Sequence, residues 1–210
     1  MRFRPLIAIC SAAVALAISS SPASAANDAQ SFIEREHAKL ERLLHEPASP
    51  TRDAQINEAL DGFVDYSELT RRAFGEPCPP SIPSCDDLWV KYADPQKEEL
   101  RDLLSQLVRK SYRKNLVKTL DYDVAYHGAR DAAGDTRVLT EAKSKVNPRD
   151  PAVRVDYMVK QTAGGYRVVD IITEGSSLTK NYYDQFRKKM SDPNQGYPNI
   201  VEKLRDKIAR

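Results

Sequence analysis

Between residues 26 and 119 the apolar positions recur three and four apart. Phe32, Ile33, Leu40 and Leu44, with His37 among them, fall on one side of a helical wheel, and Ile56, Leu60, Phe63 and Val64 do the same beyond a break at Pro47 and Pro50. This spacing predicts amphipathic helices. The longest opens at Asp94-Pro95, where an aspartate caps, a proline suits the first turn and Glu98 faces the early amides. Leu100, Leu103, Leu104, Leu107, Val108, Tyr112 and Leu116 form its stripe. After Thr119 the period changes to two. Segments 122–127, 136–146, 152–160 and 166–173 alternate between turns such as Ala133-Gly134-Asp135 and Ala163-Gly164-Gly165, and they predict four strands in one antiparallel sheet. In the third, Val153, Val155, Tyr157 and Val159 point one way and Arg154, Asp156 and Lys160 the other. One sheet face therefore needs an apolar cover. Helical spacing returns with Leu178, Tyr182, Phe186 and Met190, then with Ile200, Val201, Leu204 and Ile208. The predicted class is α+β: a helical half, a four-stranded antiparallel sheet and C-terminal helices, all helices packed on one sheet face.

The first 25 residues stand apart from this domain. Arg2 and Arg4 precede an apolar run from Leu6 to Ile18 that ends in Ala23-Ser24-Ala25, the pattern of a secretory leader cleaved after Ala25. The run is too short for a comfortable bilayer span, and the residues before Cys10 make no convincing lipoprotein site. Residues 26–210 are then expected as one exported domain, which changes two other readings. Removing Arg2 and Arg4 from 32 basic residues leaves 30 against 30 acidic ones. A neutral chain has little to drive counterion release, so nucleic acid is a poor partner. Export also puts Cys78 and Cys85 in an oxidising compartment, where they are expected to form one disulfide that pins the proline-rich segment between them. Metal binding is the weaker alternative, since two thiols without nearby histidines supply too few ligands.

Reactive chemistry is sparse. His37 and His45 lie on the first helix and His127 ends a strand beside Gly128, positions that suit structural or solvated roles. No Gly-x-Ser-x-Gly elbow, His-Glu-x-x-His pair or glycine-rich phosphate loop occurs. Asp170, inside the apolar run Val168 to Ile172, is the most suggestive group. It either serves as a base in an apolar pocket or accepts hydrogen bonds from a strand, a helix start or an arginine. Glu174-Gly175-Ser176-Ser177 reads as a strand-to-helix turn whose serine caps the next helix. No catalytic residue, cofactor or metal site is assigned.

Longer segments carry more. Phe63-Val64-Asp65-Tyr66-Ser67-Glu68-Leu69, then Ala73-Phe74-Gly75, Trp89, and Asp94-Pro95-Gln96 leading into a helix with Tyr112 and Leu116, form one ordered set. Val155-Asp156-Tyr157, Gly164 to Ile171, Glu174 to Leu178 and Asn181-Tyr182 with Gln185-Phe186 form another. In order and spacing these resemble the helical and sheet halves of the MlaC family, also called the toluene-tolerance family. The likeness runs from about residue 28 to 206 and departs at the Cys78–Cys85 segment, where the family is shorter. It implies a monomeric periplasmic protein, not an enzyme, that holds phospholipid tails in an apolar cavity between helices and sheet. Such a carrier would move lipid between an inner-membrane ABC transporter with its MCE-domain subunit and an outer-membrane lipoprotein complex. From the residues alone the apolar faces read as solid core. The resemblance makes them cavity walls, with Val153, Val155 and Tyr157 on the sheet and Leu103, Leu107 and Tyr112 on the long helix as the expected lipid contacts. Two other readings stand beside it: a small α+β hydrolase or isomerase using Asp170, and a periplasmic adaptor that binds only protein.

Overall fold

The computed structural model describes residues 22–79, 82 and 84–210, without the side chains of 22–25 and 115–117. The predicted leader lies outside the described residues except for its last four, which open the first helix. The helices are α1 (Pro22–His45), α2 (Pro50–Phe63), α3 (Tyr66–Ala73), α4 (Asp94–Thr119), α5 (Leu178–Met190) and α6 (Tyr197–Ala209). The strands are β1 (Tyr122–Ala132), β2 (Asp135–Ser144), β3 (Val153–Thr162), β4 (Gly165–Thr173) and β5 (Ser176–Ser177). Local chemistry sets the helix starts. The Ser49 hydroxyl accepts from the Arg52 amide ahead of Pro50, and the Asp65 carboxylate accepts from the Glu68 amide at 2.9 Å. Between these caps Val64 leaves the helical path and bridges Val168 of β4.

The sheet is antiparallel in the order β1-β2-β3-β4-β5, so the expected four strands are five. The fifth folds back on Ile172 and Thr173 through Glu174-Gly175, both at positive φ. A strand of two residues leaves no alternation to read. β1 is also longer than expected. Gly128, at φ 94°, absorbs a bulge between Tyr126 and Ala129, so the strand continues where a glycine suggested its end.

Register arranges one face of this sheet in rows. Ala129, Val138, Tyr157 and Ile171 are successive partners across β1 to β4. Two residues along, Tyr126 lies opposite Thr140 and Val155 opposite Thr173; then come Val124, Ala142 and Val153, and last Tyr122 opposite Ser144. At the Val138 row and beyond it, toward Val159 and Val168, the face packs into a continuous core with Phe32, Phe63, Phe74, Leu104, Tyr183 and Ile200. A smaller cluster, Leu40, Ile56, Ala59 and Leu60, joins α1 to α2, and Tyr112 of α4 touches both clusters.

Polar clasps fix the helices at the core end. Glu68, only 5% exposed, lies 2.9 Å from Arg72, 3.2 Å from Arg71 and 2.9 Å from Lys160 of β3. Arg72 reaches on to Asp135 at 2.6 Å and so ties α3 to the β1–β2 turn. Burial pushes the Glu68 carboxyl up, but hydrogen bonds from Lys160 and Arg72 bring it below its usual range. At the surface the Cys78–Cys85 disulfide closes its loop with Cα atoms 5.6 Å apart. Gly75 stands where any side chain would meet the Asp86 carbonyl oxygen at 2.5 Å.

Removing a buried partner leaves uncompensated charge. Glu68→Ala is therefore expected to cost about 3 kcal/mol in urea unfolding, the low end for a buried pair because Lys160 can turn to water. Glu76→Ala, which removes a half-exposed partner of Arg71, should cost under about 1 kcal/mol. Equal losses would show that the Glu68 clasp is no stronger than a surface pair.

Candidate functional site

The helices do not cover the whole sheet face. From the Tyr157 row outward to Tyr122 a cleft of about 1090 Å³ separates sheet and helices. Its sheet wall is the row series itself: Tyr122, Val124, Tyr126, Thr140, Ala142, Val153, Val155, Tyr157, Ile171 and Thr173. α1 contributes His37 and Leu40, α4 contributes Val108, Ser111 and Tyr112, and α5 contributes Leu178 and Tyr182. Its charged side chains are Glu34 and Glu41 on α1, one turn either side of His37, and Lys118, Asp123 and Lys145 toward the α4–β1 turn. There Lys145 Nζ lies 3.4 Å from Asp123 and donates to the Leu120 carbonyl at 3.2 Å. From Ser144 to Val138 is six residues, or about 20 Å of strand.

Four of the six expected contacts, Tyr112, Val153, Val155 and Tyr157, lie on this wall. Leu103 and Leu107 do not; both belong to the solid core with Leu100 and Leu104. The reason is that α4 runs from core to cleft with one continuous apolar stripe, and its period is the same whether the stripe faces side chains or open space. The Leu116 side chain lies outside the described ones. Lining residues that the sequence reading did not assign to the site are His37, Tyr126, Thr140 and Tyr182. Tyr126 was legible, since Tyr122, Val124 and Tyr126 alternate along β1. His37 was the one titratable group in the α1 stripe.

The inner end of the cleft carries paired polar atoms. His37 Nδ1 and the Tyr126 hydroxyl are hydrogen-bonded at 2.8 Å, and the hydroxyls of Tyr112 and Tyr157 lie within interacting range of one another. Burial pushes the His37 imidazole down to about 4 and the Tyr157 phenol up to about 12, and it raises Tyr112 and Tyr126 as well. All four rings are neutral near pH 7. These four rings thus offer neither a charge to a polar substrate nor an ionised nucleophile.

Asp170 faces elsewhere. Its carboxylate accepts from the Ile171 amide at 2.9 Å, the Ser177 hydroxyl at 2.5 Å and the Thr179 amide at 2.9 Å. It anchors the start of α5, where Ser177 also caps the Lys180 amide. A second hollow of about 550 Å³ lies among α2, α3, α4 and the β3–β4 turn. It is polar, and Arg109 there is bonded to Asp61 at 2.7 Å and stacked over Tyr66 at 4.6 Å. Among the described residues no three His, Cys, Asp or Glu side chains come together to hold a metal, and no helix is long and apolar enough to cross a membrane.

The depressed His37 value has a consequence for stability. An unfolded histidine takes up its proton near 6.5 and the folded one near 4, so between these values the unfolded chain binds more protons. Stability is then full above pH 6.5 and falls with pH toward 4, by about 3 kcal/mol at most. Urea unfolding of lipid-free protein at pH 7 and pH 4.5 should show this loss in the wild type and much less of it in His37→Gln. Parallel behaviour of the two would place the pH dependence in other groups.

Comparison with known proteins adds the lineage. A search of curated protein sequences gives no match. Among solved structures, a phospholipid-binding protein from Ralstonia solanacearum, determined in complex with a phospholipid, superposes with a TM-score of 0.68 at 22% identity. The match covers 87% of this chain and 97% of that one. At that identity the likeness speaks for the fold. The family model of the MlaC protein matches residues 36–206, which takes in every helix and strand from the middle of α1 to most of α6. This chain belongs to the MlaC family.

Proposed function

We propose that this protein is a periplasmic lipid carrier, not an enzyme, that takes phospholipid acyl chains into the cleft between sheet and helices. It would carry them between an inner-membrane ABC transporter with an MCE-domain subunit and an outer-membrane lipoprotein complex. The observation that supports this most is the depth and chemistry of the cleft together. Hydrocarbon fills a bilayer to about 30 Å, so one leaflet's tails reach about 15 Å. The cleft runs about 20 Å along the strands, with an apolar sheet wall, neutral rings at its inner end and its two lysines, Lys118 and Lys145, near the α4–β1 turn. Tails inside and a solvated headgroup at the lysine end fit that distribution. The family membership and the phospholipid bound by the Ralstonia protein support the same reading.

The energetics call for a carrier and for no reactive group. Each methylene withdrawn from water contributes about 0.8 kcal/mol, so two chains of roughly fifteen carbons would cost more than 20 kcal/mol to expose. Free passage through water is negligible at that cost. A cleft that replaces the bilayer's hydrocarbon removes most of it, and release then requires a receiving surface of equal apolarity. Asp170, on which the alternative hydrolytic reading rests, has its oxygens occupied by the Ile171 amide and the start of α5.

Val155 tests the reading, because it lies in the wall between Thr140 of β2 and Thr173 of β4. Val155→Trp should leave the lipid-free protein folded with a nearly unchanged melting temperature, since the indole enters space that holds no protein atoms. Native mass spectrometry should find it with much less co-purified phospholipid than the wild type. If the variant unfolds while its folded remainder keeps full lipid, Val155 is core and the tails lie elsewhere.

A further inference from the structure

The geometry points to the inner end of the cleft as a ruler that sets the longest acyl chain this protein accepts, an inference that rests on the carrier reading above. His37 of α1, Tyr112 of α4, Tyr126 of β1 and Tyr157 of β3 come from four separate elements and meet at the level where cleft gives way to core. His37 is bonded to the Tyr126 hydroxyl at 2.8 Å, and its ring stands edge-on to Tyr157 with centroids 5.1 Å apart. Tyr112 closes from the helix side, edge-on to Phe63 at 6.3 Å. Phe63, fully buried, lies behind the rings, and Tyr112 packs against the Leu40–Leu60 cluster, of which Leu40 reaches the cleft. The floor is a seam of polar atoms, paired with one another, at the end of an apolar wall.

Magnitudes say why a chain should stop there. Each methylene that fits above the floor gains roughly fourfold in affinity. A longer chain must push between paired rings and part hydrogen bonds whose groups then face its own hydrocarbon, which costs roughly five- to a hundredfold. The loss exceeds the gain for the first carbon beyond the floor, so affinity should climb with chain length and then break. A floor of aliphatic side chains would have no such step, because rotamer changes admit extra carbons gradually.

The experiment offers lipid-free protein equimolar vesicles of phosphatidylglycerols that differ only in saturated chain length, and native mass spectrometry weighs what is bound. Wild-type uptake should rise with length and then drop at least fivefold between two neighbouring lengths. Tyr112→Leu removes ring and hydroxyl and opens the way toward the Leu40–Leu60 cluster, so its cut-off should move to longer chains. Ile171→Phe, in the same row as Tyr157, raises the floor and should move the cut-off to shorter chains. If Tyr112→Leu does not fold, the Ile171→Phe shift decides. Wild-type uptake without a cut-off, or variants that keep the wild-type cut-off, overturns the ruler and leaves the carrier reading standing. A wild type that takes up none of these lipids overturns both.

Discussion

The structure turns on the covering of one apolar sheet face. Strands of nine to eleven residues present a face that the helices must shield from water, and the buried carboxylate clasps on those helices lie where α3 meets β2 and β3 and where α5 meets β4. There the cover is close-packed and Val138 and Val168 are sealed. Toward Tyr122 and Ser144 the same face continues, with the same alternation, and borders the cleft. Core and cleft are two ends of one surface.

That division restricts what the cleft can be. A void in a packed core costs about 24 cal/mol per Å³. For the 1090 Å³ described here that would exceed 20 kcal/mol, more than the 5–15 kcal/mol that holds a whole domain together. The space cannot persist as an unfilled core; it stands only with solvent or a ligand in it. Packing energy forgone at this end raises the weight of the clasps at the other. Glu68 with its three cations, and Asp170 with its three donors, hold helices in place by directional bonds where contact area is missing.

Much of this was legible in the residues. The helices, the antiparallel sheet and the inward set of β3 followed from spacing. What escaped did so for physical reasons. Ser176–Ser177 is too short to alternate, and Gly128 marks a bulge and not an end, because the strand on both sides of it keeps its partners. Leu103 and Leu107 share a stripe with Val108 and Tyr112, and periodicity records which way a side chain points without recording what it meets. Only the family resemblance separated wall from core, and it did so for the fold as a whole and not for each leucine. His37 was visible as a polar residue in an apolar stripe, but its partner Tyr126 is 89 positions away. A pairing at that distance needs the fold.

The bulge at Gly128 bears on a hazard unrelated to lipid. β1 ends the sheet, and an eleven-residue edge strand exposes a row of backbone donors and acceptors to any other extended chain. Copies of a chain with such an edge can join along it. The extra residue at Tyr126–Ala129 breaks the regular spacing of those groups and increases the local twist. Exposed Asp123, His127, Arg130 and Asp131 on the same strand add charge and bulk to the edge. Edge-to-edge polymerisation is thereby opposed in the backbone itself, independently of whether the cleft is full or empty.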